Sequence, residues 1–149
     1  MARSTVTLAR TRGSEVQAEW AVTPRVQELL ARSDGELVAA DLAPDAGSRF
    51  VHAHLAALRA GAALLAATEG SPRRRAPRPV WELVAAVAPD LAGWTARFAS
   101  AAPLRAAVEN GRSEVDDMRA DRAVAEATAF ADTVRDLLLG YHAVALRVS

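Results

Sequence analysis

RFVHAHLAALRAGAALLAATEGSPRRRAPRPVWELVAAVAPDLAGWTARF, Arg49 to Phe98, decides the fold of this chain. From about Ser48 to Thr68, Val51, Leu55, Leu58, Ala62 and Leu65 recur at steps of four and three. That spacing predicts an amphipathic helix with a narrow inward stripe, close-packing because Ala and Gly61 are small. At 100° per residue Arg49, His52 and Arg59 share another face, with His52 expected at the surface, whereas His54 falls within the apolar stripe. Gly70, Ser71 and Pro72 end the helix, and three prolines keep the arginine-rich link that follows extended. From Pro79 a second apolar rhythm runs through Val80, Val84, Val87, Leu91, Trp94 and Phe98. It survives Pro89, so two helical pieces sharing one buried seam are expected, with a kink or a restart at the proline.

Working outward, residues 1–20 read as a flexible leader in which Trp20 is the first anchored side chain, and 21–149 as a single helical domain. Thr23 followed by Pro24 is a helix start: Thr caps, and Pro suits the first helical position, where its missing N–H costs nothing. Val26, Leu29, Leu30, Leu37 and Val38 give this helix an apolar side, with a bend or break expected between Ser33 and Gly35. Asp45 or Ser48 caps the next helix. Pro103 is expected to open a short helix, Leu104 to Glu109, which Asn110-Gly111 stops. A final helix of about 30 residues opens at Ser113 with an acid three residues on, and Ala123, Ala127, Phe130, Val134, Leu137, Tyr141 and Val144 form its seam. No alternating strand pattern of convincing length competes. The fold class is all-α, an antiparallel bundle of four or five helices.

The 149 residues are 51% apolar, enough to bury a core in one domain. All 18 basic residues are Arg, balanced by 18 acids, so no global field draws nucleic acid or an anionic membrane, and any such binding must be local. The absence of Cys removes thiolate chemistry and fits a reducing cytoplasm. No window reaches the roughly 18 apolar residues of a membrane span, and no signal-peptide core precedes the domain; a cytoplasmic protein without membrane attachment is expected.

Chemistry-bearing residues are few. Arg73, Arg74, Arg75 and Arg78 form the one concentrated basic run, and Arg forks match phosphate, RNA or nucleotide alike. A solvated linker, or pairing with Glu82 and Asp90, explains the same run. Trp81 and Trp94 can stack on bases, but at helical spacing they also serve as core. His54 suits a general base, with Arg59 or Glu82 completing a polar centre; the alternative is a neutral imidazole bonded between helices. Asp116, Asp117 and Asp121 suit the start of a helix by their charge. The three His lack metal-binding spacing, and no phosphate-binding glycine loop or nucleophile elbow occurs, so neither metal nor cofactor is expected.

Residues His54 to Ala67, the link RRRAPRP and the run Val80 to Phe98 resemble an actinobacterial, alanine-rich branch of the HEPN-domain proteins, and agreement extends to Asp121, Ala127 and Phe130. The resemblance implies a small antiparallel four-helix bundle, commonly dimeric, in a superfamily that holds RNA-cleaving toxins beside members with no shown catalysis. Nuclease members place an Arg and a His on the last helix with four to six residues between them, where a dimer builds a composite, metal-independent site. Arg135 with His142 and Arg49 with His54 match formally, but with 18 Arg and three His about one match arises by chance. RDLLLGYH also contains Gly140, a weak helix former.

Three functions follow from this reading. The leading one is a non-catalytic HEPN-like bundle that binds RNA or a nucleotide through the arginine link. The second is a homodimer or a protein-docking partner with no nucleic-acid role. The third is a ribonuclease using Arg135 and His142.

Overall fold

Thr23 and Pro24 start the first helix as their chemistry dictates. The Thr23 hydroxyl accepts from the Val26 amide at 3.2 Å, and Pro24 takes the first helical position. The structure is a computed structural model that describes residues 20–68 and 78–148, the last eight of them by backbone alone. Its α-helices are α1 (Pro24–Leu42), α2 (Ala46–Ala66), α3 (Val80–Val87), α4 (Ala92–Glu109) and α5 (Asp117–Val148), with a 3₁₀ turn at Pro89–Leu91. Among the described residues there is no strand, only an isolated bridge between Trp20 and Thr68. That bridge, with the Ala21 amide on the Ala67 carbonyl at 2.8 Å, ties the start of the domain to the end of α2.

Cross-helix pairs set the directions. Ser33 donates to the Ala56 carbonyl at 2.8 Å and Glu36 meets His52 at 2.7 Å, so α1 and α2 run antiparallel. Gly61 lies against Trp81 and His54 against Phe98, which sends α3 and α4 back along α2. Trp94 and Arg97 of α4 face Phe130 and Glu126 of α5, so the last helix reverses again. The result is an up-down-up-down bundle whose third rod is divided. It divides at Ala88 (φ −139°, ψ 75°) because a residue before proline is pushed out of the α region.

Several expectations change. α1 continues without a break through Ser33 and Gly35: Ser33 is fully buried and its hydroxyl is satisfied across the interface, while a Cβ at Gly35 would meet nothing. Val38, expected on the apolar side, is exposed. The inward face of α2 is not the Val51, Leu55, Leu58, Ala62, Leu65 stripe but Phe50, Ala53, His54, Ala56, Ala57, Ala60, Gly61, Ala63 and Leu64. α2 is the central rod, touched by all four other helices, and only alanine and glycine let neighbours come that close. The larger residues of the expected stripe stand at the flanks, half-buried. An ideal Cβ on Gly61 would lie 3.2 Å from Trp81 Cζ3 and 3.3 Å from Val84 Cγ2, so the glycine makes room for the indole.

Pro103 lies inside α4 and starts no helix, whereas Asn110 and Gly111 (φ 75°) do end it. α5 starts at Asp117, four residues later than Ser113, because Asp116 is the cap, its carboxylate accepting from the Arg119 amide at 2.8 Å. Along α5 the buried residues include Phe130, Val134 and Leu138, while Leu137 is exposed; Tyr141 and Val144 lie beyond the described side chains. Trp81, Phe98 and Phe130 are the aromatic centre, with Trp81 stacked on Phe98 at 4.9 Å and Phe130 edge-on to both.

Candidate functional site

α4 and α5 both pack on α2, but away from the aromatic centre their side chains part and leave a cleft. Its volume is about 370 Å³. Phe50, Ala53 and His54 of α2 with Phe98 of α4 form the buried floor. Arg97 of α4 and Arg119 and Arg122 of α5 stand exposed at the rim. Glu126 is the one acidic residue of the lining, so three guanidinium groups face a single carboxylate. Arg97 lies over the Trp94 ring at 5.1 Å and its Nε is 3.9 Å from Glu126; Arg119 lies over the Phe50 ring at 5.7 Å. Stacking on a ring holds each fork near the opening, and a stacked guanidinium can still donate in its own plane.

His54 is 5% exposed, edge-on to Phe98, and its Nε2 is buried with no hydrogen-bond partner. Burial, reinforced by the nearby Arg105 charge and opposed by Glu109, pushes the imidazole down to about 4. His54 is therefore neutral at pH 7, one ring nitrogen a donor and the other an acceptor. A fully buried polar atom left unpaired is rare enough to need a reason. The expected bond to a carbonyl or carboxylate is not made by Nε2.

The other sequence-derived candidates fall elsewhere. Arg59 follows His54 by five residues, about 140° around α2, and Glu82 is exposed and paired with Arg78 at 3.6 Å; neither lines the cleft. The structure thus brings no Arg59, Glu82 and His54 centre together. Arg78 is half-exposed, and Arg73, Arg74 and Arg75 lie outside the described residues. Trp81 is core, 6% exposed. Arg135 reaches both oxygens of Asp34 on α1 at 2.9 and 3.0 Å, while the side chain of His142 lies outside the description.

Arg49, the other formal nuclease match, is engaged by two carboxylates of α5. Its Nη2 is 2.7 Å from Asp117, and its Nε is 3.2 Å from Asp121, close enough for ion pairing although the angle gives no hydrogen bond. Asp117 and Asp121 thus clamp α5 to α2, and Asp116 caps. His52, expected at the surface, is half-buried and bridges to Glu36. Among the described residues no three or more His, Asp or Glu side chains gather as a metal site, and no helix is long and apolar enough to cross a membrane.

A family model described as HEPN-like matches residues 40–135. The chain belongs to the HEPN-domain family. No curated protein and no solved structure matches it. The HEPN match takes in α2, α3, α4 and α5 as far as Arg135, so the whole cleft lies within the HEPN domain and His142 falls beyond the match. Sequence reading missed the cleft because its three arginines come from two helices separated by a turn. The available signal was Arg119 and Arg122, three residues apart on one helical face.

Proposed function

We propose that this HEPN-domain protein is a non-catalytic binding module for a phosphate-bearing ligand, RNA or nucleotide, held by the arginines of the α2–α4–α5 cleft. The observation that carries the reading is the excess of guanidinium over carboxylate around a 370 Å³ cavity. Arg forks bind phosphate oxygens in pairs, and such charge-assisted hydrogen bonds are stronger than neutral ones. The link arginines Arg73, Arg74, Arg75 and Arg78 offer a second basic run to a polymeric ligand.

Catalysis through Arg135 and His142 has less support, because the Arg135 guanidinium is occupied by Asp34. The test is binding of a labelled single-stranded RNA and of a nucleoside monophosphate at rising salt. Arg119→Gln with Arg122→Gln is expected to weaken binding at least tenfold, and affinity for the RNA should fall by about 0.7 log units per phosphate contacted for each tenfold rise in salt. Binding that survives both substitutions moves the site to the link or defeats the proposal. Intact RNA after incubation with the protein is the expected companion result.

A second reading, self-association, is supported by Val38 and Leu42, one turn apart on α1 and exposed at 57% and 77%. Sedimentation of the protein beside Val38→Asp tests it: a dimer that the substitution does not disturb lies on another face.

A further inference from the structure

The floor of the cleft is shut. Phe50 and Phe98 are 3% and 5% exposed; Trp81, Trp94 and Phe130 pack around Phe98, and the Arg119 guanidinium lies over Phe50. His54 is as buried as Phe98, and its Nε2 is closed to solvent. A ligand entering the cleft therefore finds no open ring to stack on and no polar atom at the bottom to bond. The exposed side chains left to it are Arg97 and Ser100 on α4 and Arg119 and Arg122 on α5. Such a site selects by the ligand's charge and by the oxygens it presents, and the rest of the molecule goes unread.

Charge then narrows the choice. Three guanidinium groups less the Glu126 carboxylate leave the lining two positive charges in excess. The acids at the start of α5 do not cancel that excess, because Asp117 and Asp121 pair with Arg49 and Asp116 caps its own helix. An internal phosphate of a nucleic-acid strand carries one negative charge and is flanked by sugar on both sides, whereas a monoester phosphate carries about −1.5 to −2 at pH 7 and presents three acceptor oxygens. The monoester matches the excess. It also matches the layout, since forks that face the cleft from α4 and from α5 can each take oxygens on different sides of one end group.

We propose that the cleft is a receptor for a terminal phosphate, the monoester group at the end of an RNA strand or on a free nucleotide, and that it reads this group without reading the body attached to it. The proposal rests on the reading of the cleft as an anion site and names the kind of phosphate. Arg97, Arg119 and Arg122 bind the outer oxygens, and the base plays no part.

Calorimetric titration of the full chain at low ionic strength with methyl phosphate, phenyl phosphate, adenosine monophosphate and dimethyl phosphate tests this. The three monoesters should bind within about threefold of one another, and dimethyl phosphate about tenfold more weakly or worse. Arg97→Gln, and separately Arg119→Gln with Arg122→Gln, all at exposed positions, should weaken the monoesters about tenfold with the circular dichroism unchanged. Dimethyl phosphate binding as tightly as methyl phosphate overturns the proposal, as does a spread of tenfold or more among the monoesters, since the body would then be read. A short single-stranded RNA carrying either a phosphate or a hydroxyl at its leading end separates the sources. Tighter binding of the phosphorylated strand than of adenosine monophosphate supports the proposal with RNA as the source, and equal binding supports it with the free ester as the source. If both strands bind alike and lose affinity with the rim arginines, this proposal falls and the anion reading of the cleft stands. Binding of nothing sinks both.

Discussion

His54→Leu should remove a pH dependence that the intact protein carries. In the folded chain the imidazole is pushed down to about 4 from its ordinary 6.5, with burial the main cause. Above pH 6.5 neither state holds the proton and the shift contributes no difference. As pH falls below 6.5 the unfolded chain takes up the proton while the folded chain does not, so stability falls, and the loss levels off below pH 4. Two and a half units at 1.36 kcal/mol each give a full loss of about 3 kcal/mol, of which about 2.5 kcal/mol is gone by pH 4.5. Carboxylates titrate in both proteins, so the difference between them isolates the histidine. At pH 7.5 leucine also removes the unpaired Nε2, whose burial costs about 1–3 kcal/mol, and the variant should match or exceed the parent in stability. Urea unfolding followed by the fluorescence of Trp81 and Trp94 at pH 7.5 and 4.5 measures both effects. A variant that loses as much stability between those pH values as the parent would refute the reasoning, since the imidazole would then be reaching water when folded.

Gly61→Val should destabilise by about 2 kcal/mol in the same unfolding assay, because even a Cβ at that position lies 3.2 Å from the Trp81 ring. Gly61→Ala should come closer to neutral, its crowding offset by about 1 kcal/mol of helix propensity. Asp116→Ala should cost about 1 kcal/mol by removing the cap of α5, with helix loss visible in circular dichroism on heating. Arg135→Ala and Asp34→Ala, singly and together, should give a coupling of at most about 1 kcal/mol that shrinks in high salt, as expected of a pair 37% and 58% exposed.

The all-α class and the positions of the rods were readable because punctuation is local. Thr23-Pro24, Asp45 and Asn110-Gly111 each act within one turn of backbone, and each marks a helix boundary in the structure. Pro89 was readable for the same reason, since its effect on Ala88 is a steric contact between adjacent residues. Pro103 looks identical in sequence and does nothing of the kind, because α4 packs on α2 and runs through it. The facing of α2 was misread on different grounds. Periodicity ranks residues by hydrophobicity, and leucine outranks alanine, so the pattern points to the larger side chains. A central rod with neighbours on several sides selects by size instead, and that requirement exists only once the other four helices are in place.

The same distinction separates the two arginine clusters. Arg73, Arg74, Arg75 and Arg78 are conspicuous because they fall within six residues, and like charges so close repel one another, so the run gains little beyond solvation until a ligand arrives. Arg97, Arg119 and Arg122 are inconspicuous: Arg97 stands alone on its helix face, and Asp116, Asp117, Asp121 and Glu126 surround Arg119 and Arg122 along the sequence. Folding changes that balance. Asp117 and Asp121 turn to Arg49, and Asp116 turns to the backbone of its own helix, which takes three of the acids at the start of α5 away from Arg119 and Arg122. What reads along the chain as a neutral, mixed-charge helix start becomes, by this sorting of carboxylates to one side, a rim with excess positive charge above a buried histidine. Arg49→Ala therefore acts on the cleft without touching it. Releasing Asp117 and Asp121 restores negative charge beside the rim, and phosphate-ester affinity should drop severalfold at low ionic strength and recover toward the parent value in high salt. An Arg49→Ala protein that stays folded and binds as the parent does at every salt concentration would show that the sorting is irrelevant to the site.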